Sequence, residues 1–257
     1  MSRYVAFDLE TAALYKEGER LDPLTGLGIS CAVTLTDDED LRLWYGWDGS
    51  NYRPRMTPYE VRMLIDYLER MQQDGAPAVT WNGLKFDWQV LGVESGEMER
   101  CAALALGHID LMYAFFLIKG HYLGLKKAAA ACGSHKGGEA VETGKDAPQA
   151  WMDGEYVGTL EYVRQDGVAT RAVMEHLCQH WGFHWTTNRG KRAEFHIPEV
   201  LRPEGLHDLL VHQVMEWPVV NTWWMEKFPE RRKEYAERRA GFLAWTGLTD
   251  PVVGQIT

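Results

Sequence analysis

The sequence predicts a mixed α/β protein, a β-sheet layered with helices. Three observations lead there. Strand patterns come first and helical patterns cluster later in the chain. Hydrophobic residues make up 46% of the 257 positions, enough for a sizeable core. No apolar run reaches the roughly 18 residues of a membrane span, and no internal repeat suggests a solenoid.

Taken in order, Tyr4 to Asp8 reads as a buried strand. Gly28–Thr36 and Leu41–Trp47 flank the acidic turn DDED and predict a hairpin. Thr57-Pro58-Tyr59-Glu60 has the form of a capping box with proline at the first helical position. The helix it opens carries Val61, Leu64, Ile65 and Leu68 on one face and should stop near Gly75. Pro77–Trp81 reads as a short strand, and helical patterns follow around Phe86–Val93 and Leu111–Ile118. YLGLKKAAAACG predicts a short helix ending at Gly133, and the Gly-rich, charged SHKGGEAVETGKDAPQ a surface loop. A long helix is expected over Tyr156–Gln179 despite Gly158 and Gly167. Beyond residue 185, KRAEFHI reads as a strand, Leu206–Val214 as a helix, and FPERRKEYAERRAGF as another helix.

Acids and bases divide unevenly: Lys and Arg number 17 against 27 acids up to residue 185, and 10 against 10 after it. Six of the 11 tryptophans (Trp181, Trp185, Trp217, Trp223, Trp224 and Trp245) fall in the last third. The expected division is therefore a first domain over 1–185 and a Trp-rich extension over 186–257. The net charge of −10 argues against a passive nucleic-acid coat, which would be basic. It leaves room for an enzyme that meets phosphate through bound cations. Cys31, Cys101, Cys132 and Cys178 form no CxxC pair and read as reduced thiols. The opening MSRYVAFDLE has no signal-peptide pattern. The expectation is a cytoplasmic protein without membrane partners.

Asp8 and Glu10 are two residues apart at the end of an apolar strand, so they point to one face. Two anions so close raise each other's pKa unless something positive lies between them. Oxygen ligands favour Mg²⁺ or Mn²⁺ over zinc. A lone D-x-E is common by chance, and by itself a solvated strand end is the better reading of it. Asp87 follows the Asn82-Gly83 turn in TWNGLKFDWQVLG and by itself reads as a favourable charge at a helix start. Tyr162 and Asp166 in LEYVRQDGVATRAV are four apart and share a helix face. Alone, they read as a surface pair.

Together, FDLET, NGLKFD and YVRQD occur in order on a strand, a strand-to-helix junction and a late helix. This arrangement resembles the DEDD superfamily of 3′–5′ exonucleases in its tyrosine subtype, most of all the proofreading domains of family B DNA polymerases and their stand-alone relatives. HIDLMYAFF and LGLKKAAAACG fit the same likeness, which spans roughly residues 3–178. Trp88 departs from it, because a proline is frequent at that position. The resemblance implies a ribonuclease-H-like fold in which Asp8, Glu10, Asp87 and Asp166 hold two Mg²⁺ or Mn²⁺ ions. By this likeness Asp8 touches both ions, Glu10 and Asp166 complete the nucleophile-side site, and Asp87 the other. Tyr162 orients the attacking water. With an ordinary pKa of about 10 it suits positioning better than proton abstraction. The candidate substrate contacts are Thr11, then Asn82, for which holding its own turn is the stronger reading, and Trp81 and Trp88, which can stack on bases, with core packing the expected role of at least one of the two.

The implied activity is hydrolysis at single-stranded or frayed 3′ ends, DNA favoured, releasing nucleoside 5′-monophosphates. An RNA-directed nuclease or an endonuclease on the same fold, and a non-catalytic nucleic-acid-binding accessory protein, are the rivals. Other signals weigh less. GGEAVETGK misses the spacing of a phosphate loop, and Lys136 and Lys145 read as solvated loop cations. His176, His180 and His184 recur every four residues, but a break at Gly182 is expected to take His184 off the helix face, so zinc is not expected there. The six cations of KFPERRKEYAERR read as a solvent face rather than a strand-guiding patch.

Overall fold

The computed structural model describes residues 3–14, 26–134, 141–187, 189–219 and 229–256. His135, Lys136, Trp223 and Trp224 lie outside these. The centre is a five-stranded sheet of β1 (Val5–Thr11), β2 (Ile29–Thr36), β3 (Leu41–Tyr45), β4 (Ala78–Thr80) and β5 (Ile109–Asp110), in the order β3-β2-β1-β4-β5. The predicted β2–β3 hairpin and β1–β2 pair are antiparallel; β1–β4 and β4–β5 are parallel. All eight residues of β2 are buried, as befits an inner strand covered on both faces.

Period-two alternation in β1 sorts its side chains between two helical layers. Phe7 points to the layer holding α1 (Pro58–Gln73) and α2 (Asp87–Ser95), where its ring lies 5.9 Å from that of Trp88. Asp8 and Glu10 point to the opposite layer, where α7 (Tyr156–His180) crosses β1 and β2. The capping box of α1 forms as predicted: Thr57 N–H donates to Glu60 Oε2 at 2.7 Å, and Glu60 N–H to Thr57 Oγ1 at 3.3 Å. The helix stops at Gln73, and Gly75 turns the chain at φ 85°.

The elements between them include three that the sequence pattern does not announce: α3 (Met98–Leu106), β5 and α6 (Ala147–Met152). The predicted α4 (Leu111–Lys119) and α5 (Leu125–Ala131) are present. After α7, Trp181 adopts φ 47° and reverses the chain into β6 (Gly182–Thr186), which pairs with β7 (Arg192–His196) in a separate antiparallel sheet. A boundary after residue 185 therefore falls inside β6. The expected helix at Leu206–Val214 is a 3₁₀ turn over Leu206–Leu209 followed by a short helix over Val211–Val214.

The C-terminal helix Pro229–Leu243 has its expected extent, and it packs inward as well as facing solvent. Arg239 and Asp250 are fully buried and paired at 2.6 Å. Arg239 also donates to the carbonyls of Trp217 and Met215, and Tyr113 O–H donates to Asp250 at 3.3 Å. Trp245 Nε1 donates to the Leu84 carbonyl at 2.7 Å, so this region braces the turn leading to Asp87. Other cations of the helix are engaged on it: Arg238 with Glu234 and Lys233 with Glu237. Among the described residues no helix is long and apolar enough to cross a membrane.

Removing one partner of a buried ion pair strands the other charge, at a cost of about 3–5 kcal/mol. Asp250→Ala is expected to lose stability on that scale in denaturant unfolding. A double Arg239→Met, Asp250→Leu variant should lose much less, because it leaves no buried charge. Equal losses in the two would exclude the stranded charge as the cause.

Candidate active site

The acidic cluster is assembled from the end of β1 and the middle of α7. Asp8, Glu10 and Asp166 each offer a carboxylate oxygen, and the three atoms lie within 4.8 Å of one another. Glu10 and Asp166 are buried and Asp8 is half-buried. Directly past Glu10 the pairing with β2 slips: Glu10 opposes Cys31 and Thr11 opposes Ile29. The skipped residue, Ser30, donates its hydroxyl to the Glu10 carbonyl at 3.0 Å. A bulge at this point ends the regular ladder just where the side chains must be aimed.

Close approach of α7 brings Asp166 to β1. A Cβ on Gly167 would sit 2.9 Å from Cγ1 of Val33, the residue that pairs with Asp8 across the sheet. Glycine is therefore needed immediately after Asp166, at the contact between helix and strand. The sequence pattern registers Gly167 only as a flaw in a helix.

Asp87 stands beside the cluster rather than within its closest group. Its Oδ1 accepts the N–H of Leu9, the residue between Asp8 and Glu10, at 3.1 Å. Burial pushes its carboxyl up to about 7, with the charges of Asp110 and Asp166 adding to the effect and the N–H groups of Asp87 and Leu9 opposing it. Asp110, which sequence reasoning passed over, holds the turn in front of Asp87. It accepts the N–H groups of Asn82 at 3.0 Å, Leu84 at 2.9 Å and Tyr113 at 2.9 Å, so it also caps α4. Burial raises its carboxyl to about 6 against the pull of these donors. The only sequence signal for it is an acid followed by an apolar helical run.

Tyr162 is fully buried, packed with Val141 and Ala147. A Cβ built on Gly144 would lie 3.7 Å from both the Tyr162 hydroxyl and Glu10 Oε1. The segment after the described gap thus roofs the tyrosine and the glutamate together, and glycine keeps the space between them open.

The expected substrate residues divide. Asn82 takes φ 73°, a left-handed conformation that Asn tolerates, and its N–H is held by Asp110. Thr11 is 6% exposed and donates its hydroxyl to the Ala13 carbonyl at 3.1 Å. Trp81 is half-buried and donates to the Leu123 carbonyl at 3.0 Å. Trp88 is 0% exposed, wedged between Phe7 and His108. Stacking on a base is not available to it there, since neither face of its indole meets solvent; of the two tryptophans, Trp88 is the one that packs in the core.

The cluster fits a hard divalent cation by its donor set: oxygen ligands only, anionic, and largely out of water. A family model of the RNase_H superfamily matches residues 5–178. The chain belongs to the RNase H superfamily. The strand order and helical layers are those of the RNase-H-like fold, and members of this superfamily are usually nucleases that use divalent metals. Among solved structures, that of the family B DNA polymerase from the hyperthermophilic archaeon Pyrobaculum calidifontis is similar, with 20% identity and a TM-score of 0.49 over 70% of this RNase H chain. The matched part is 25% of the polymerase chain. No curated protein matches the sequence.

Two outcomes test this geometry. Gly167→Ala gains helix propensity of roughly 1 kcal/mol, yet it forces a methyl against Val33, and overpacking of this kind costs about 1–3 kcal/mol. Loss of thermal stability is expected, with recovery when Val33→Ala is added; no recovery would place the strain elsewhere. The second concerns pH. Asp87 binds its proton more tightly folded than unfolded, so its contribution to stability is complete below about 3.8 and is lost as pH rises through about 7. Saturating Mg²⁺ should abolish that decline in melting temperature between pH 5 and 8. An identical slope with and without Mg²⁺ would detach Asp87 from the cation site.

Proposed function

We propose that this protein is a metal-dependent 3′–5′ exonuclease acting on single-stranded or frayed 3′ ends, with DNA preferred, and that it releases nucleoside 5′-monophosphates. The observation that carries the proposal is the convergence of Asp8, Glu10 and Asp166 within 4.8 Å at the end of β1, with Asp87 against the same strand. The polarity of attack and the product rest on the resemblance of FDLET, NGLKFD and YVRQD to tyrosine-subtype DEDD exonucleases.

In this reading Asp8, Glu10, Asp87 and Asp166 hold two Mg²⁺ or Mn²⁺ ions, and the four carboxylate charges balance those of the two cations. When bound, such ions supply an activated water on one side of the scissile phosphate and charge stabilisation for the leaving oxygen on the other. The side chains supply placement. Glu10 and Tyr162 flank one small space beneath Gly144, and the Tyr162 hydroxyl orients the attacking water by hydrogen bonding. Thr11, Asn82 and Trp81 border the terminal nucleotide. The surrounding acidity makes the empty site repel phosphate, so substrate binding depends on the cations. Every residue of the proposed site lies before residue 185, and Trp245 from the C-terminal part braces the turn before Asp87.

The test is degradation of end-labelled DNA and RNA in Mg²⁺ or Mn²⁺. Asp8→Ala and Asp166→Asn should each abolish turnover while leaving the protein folded, whereas Tyr162→Phe should slow it less severely. Excess EDTA should stop the reaction. Cleavage of circular single strands at the rate of linear ones would make the enzyme an endonuclease, and a preference for RNA ends would revise the substrate. Unchanged activity in Asp8→Ala would end the proposal.

A further inference from the structure

The far end of α7 carries a second cluster, built from imidazoles. His176 and His180 lie one turn apart on the helix, and their ring centroids are 4.4 Å apart. The expected break does occur, with the helix ending at His180. The left-handed turn at Trp181 then sends β6 back over the helix end, so that the break delivers His184 to the cluster instead of removing it. The ring of His184 lies 4.1 Å from that of His176. Across the hairpin, His184 opposes Glu194 and Gly182 opposes His196, so His184, Glu194 and His196 share one face of the β6–β7 sheet.

Three features point to a ligand. One ligand atom each from His184, Glu194 and His196 lies within 4.8 Å of the others. His184 is only 7% exposed, and the Nε2 atoms of His184 and His176 have no hydrogen-bond partner among the described residues; Glu194 approaches that of His184 only to 3.5 Å. Buried polar atoms of this kind are uncommon without a partner. The position opposite His196 is glycine, and a Cβ there would lie 2.9 Å from His196 Nδ1, so the ring occupies the room that a side chain at position 182 would fill. His196 Nδ1 also lies 3.3 Å from the His180 carbonyl. Donation there places the proton on Nδ1 and leaves Nε2 with a free lone pair, the arrangement common to metal-bound histidines.

We propose that His184, His196 and Glu194, with His176 at their side, form a binding site for a borderline transition-metal ion of the Zn²⁺ class, separate from the acidic cluster. Asp166 and His176 are ten positions apart, which separates the two sites by about 15 Å along the helix. Imidazole nitrogens and one carboxylate favour Zn²⁺ over Mg²⁺. Bonds of about 2.0–2.1 Å require ligand atoms about 3.3 Å apart, and the exposed side chains of Glu194 and His196 supply that closure by rotation. The competing group is Arg192, which is exposed and donates to His184 Nδ1. It must swing away when the ion binds. The bound ion would pin the β6–β7 hairpin to the end of α7.

Titration calorimetry with Zn²⁺ on the untagged full-length chain, in excess Mg²⁺, tests this. One Zn²⁺ per chain is expected in the wild type and in Asp8→Ala. His196→Gln, a change at an exposed position, should weaken binding at least tenfold, and His184→Gln more. Arg192→Gln should tighten it by removing a positive charge. Zn²⁺ should raise the melting temperature of the wild type and not that of His196→Gln. Absence of Zn²⁺ uptake, equal uptake in the wild type and both histidine variants, or loss of uptake in Asp8→Ala alone would overturn the site.

Discussion

Like charges in a space poor in water repel strongly, and the architecture around Asp8, Glu10 and Asp166 exists against that repulsion. Flexible carboxylates would swing apart or take up protons. These cannot move far: two are fixed by alternation on an inner strand, and the third rides a 25-residue helix pressed onto the sheet. The frame holds the three acids together in the folded state, the arrangement whose charge a divalent cation would offset. Asp87 shows the same tension in its raised carboxyl, held by the backbone between the two strand acids.

The supports are arranged in shells. Gly167 against Val33 sets how close the helix comes. Asp110 ties the Asn82–Leu84 turn to the start of α4. Trp245 and the buried Arg239–Asp250 pair then brace that turn and α4 from the C-terminal side. The C-terminal residues thus share hydrogen bonds with the elements around the cluster.

What the sequence revealed depended on whether the cause was local. The facing of Asp8 and Glu10, the shared face of Tyr162 and Asp166, and the Thr57–Glu60 cap follow from repeats of two, three or four residues, and each was readable. Distant causes were not. Gly167 looks like a weak helical residue until Val33 arrives from a strand more than 130 positions earlier. Which of Trp81 and Trp88 packs in the core is not readable until Phe7 and His108 enclose Trp88. The two-residue β5 carries too little pattern to register, although it places Asp110. The histidines miscarried for the same reason: their spacing was visible, but the reversal at Trp181 that reunites them was not.

The slip in pairing beyond Glu10 has an evolutionary side. Within β1, inserting or deleting a single residue would turn both acids to the wrong layer, because facing alternates with every position. The bulge absorbs irregularity only on its outer side, towards Thr11. Lineages descended from this chain are therefore not free to change the length of the strand before Glu10.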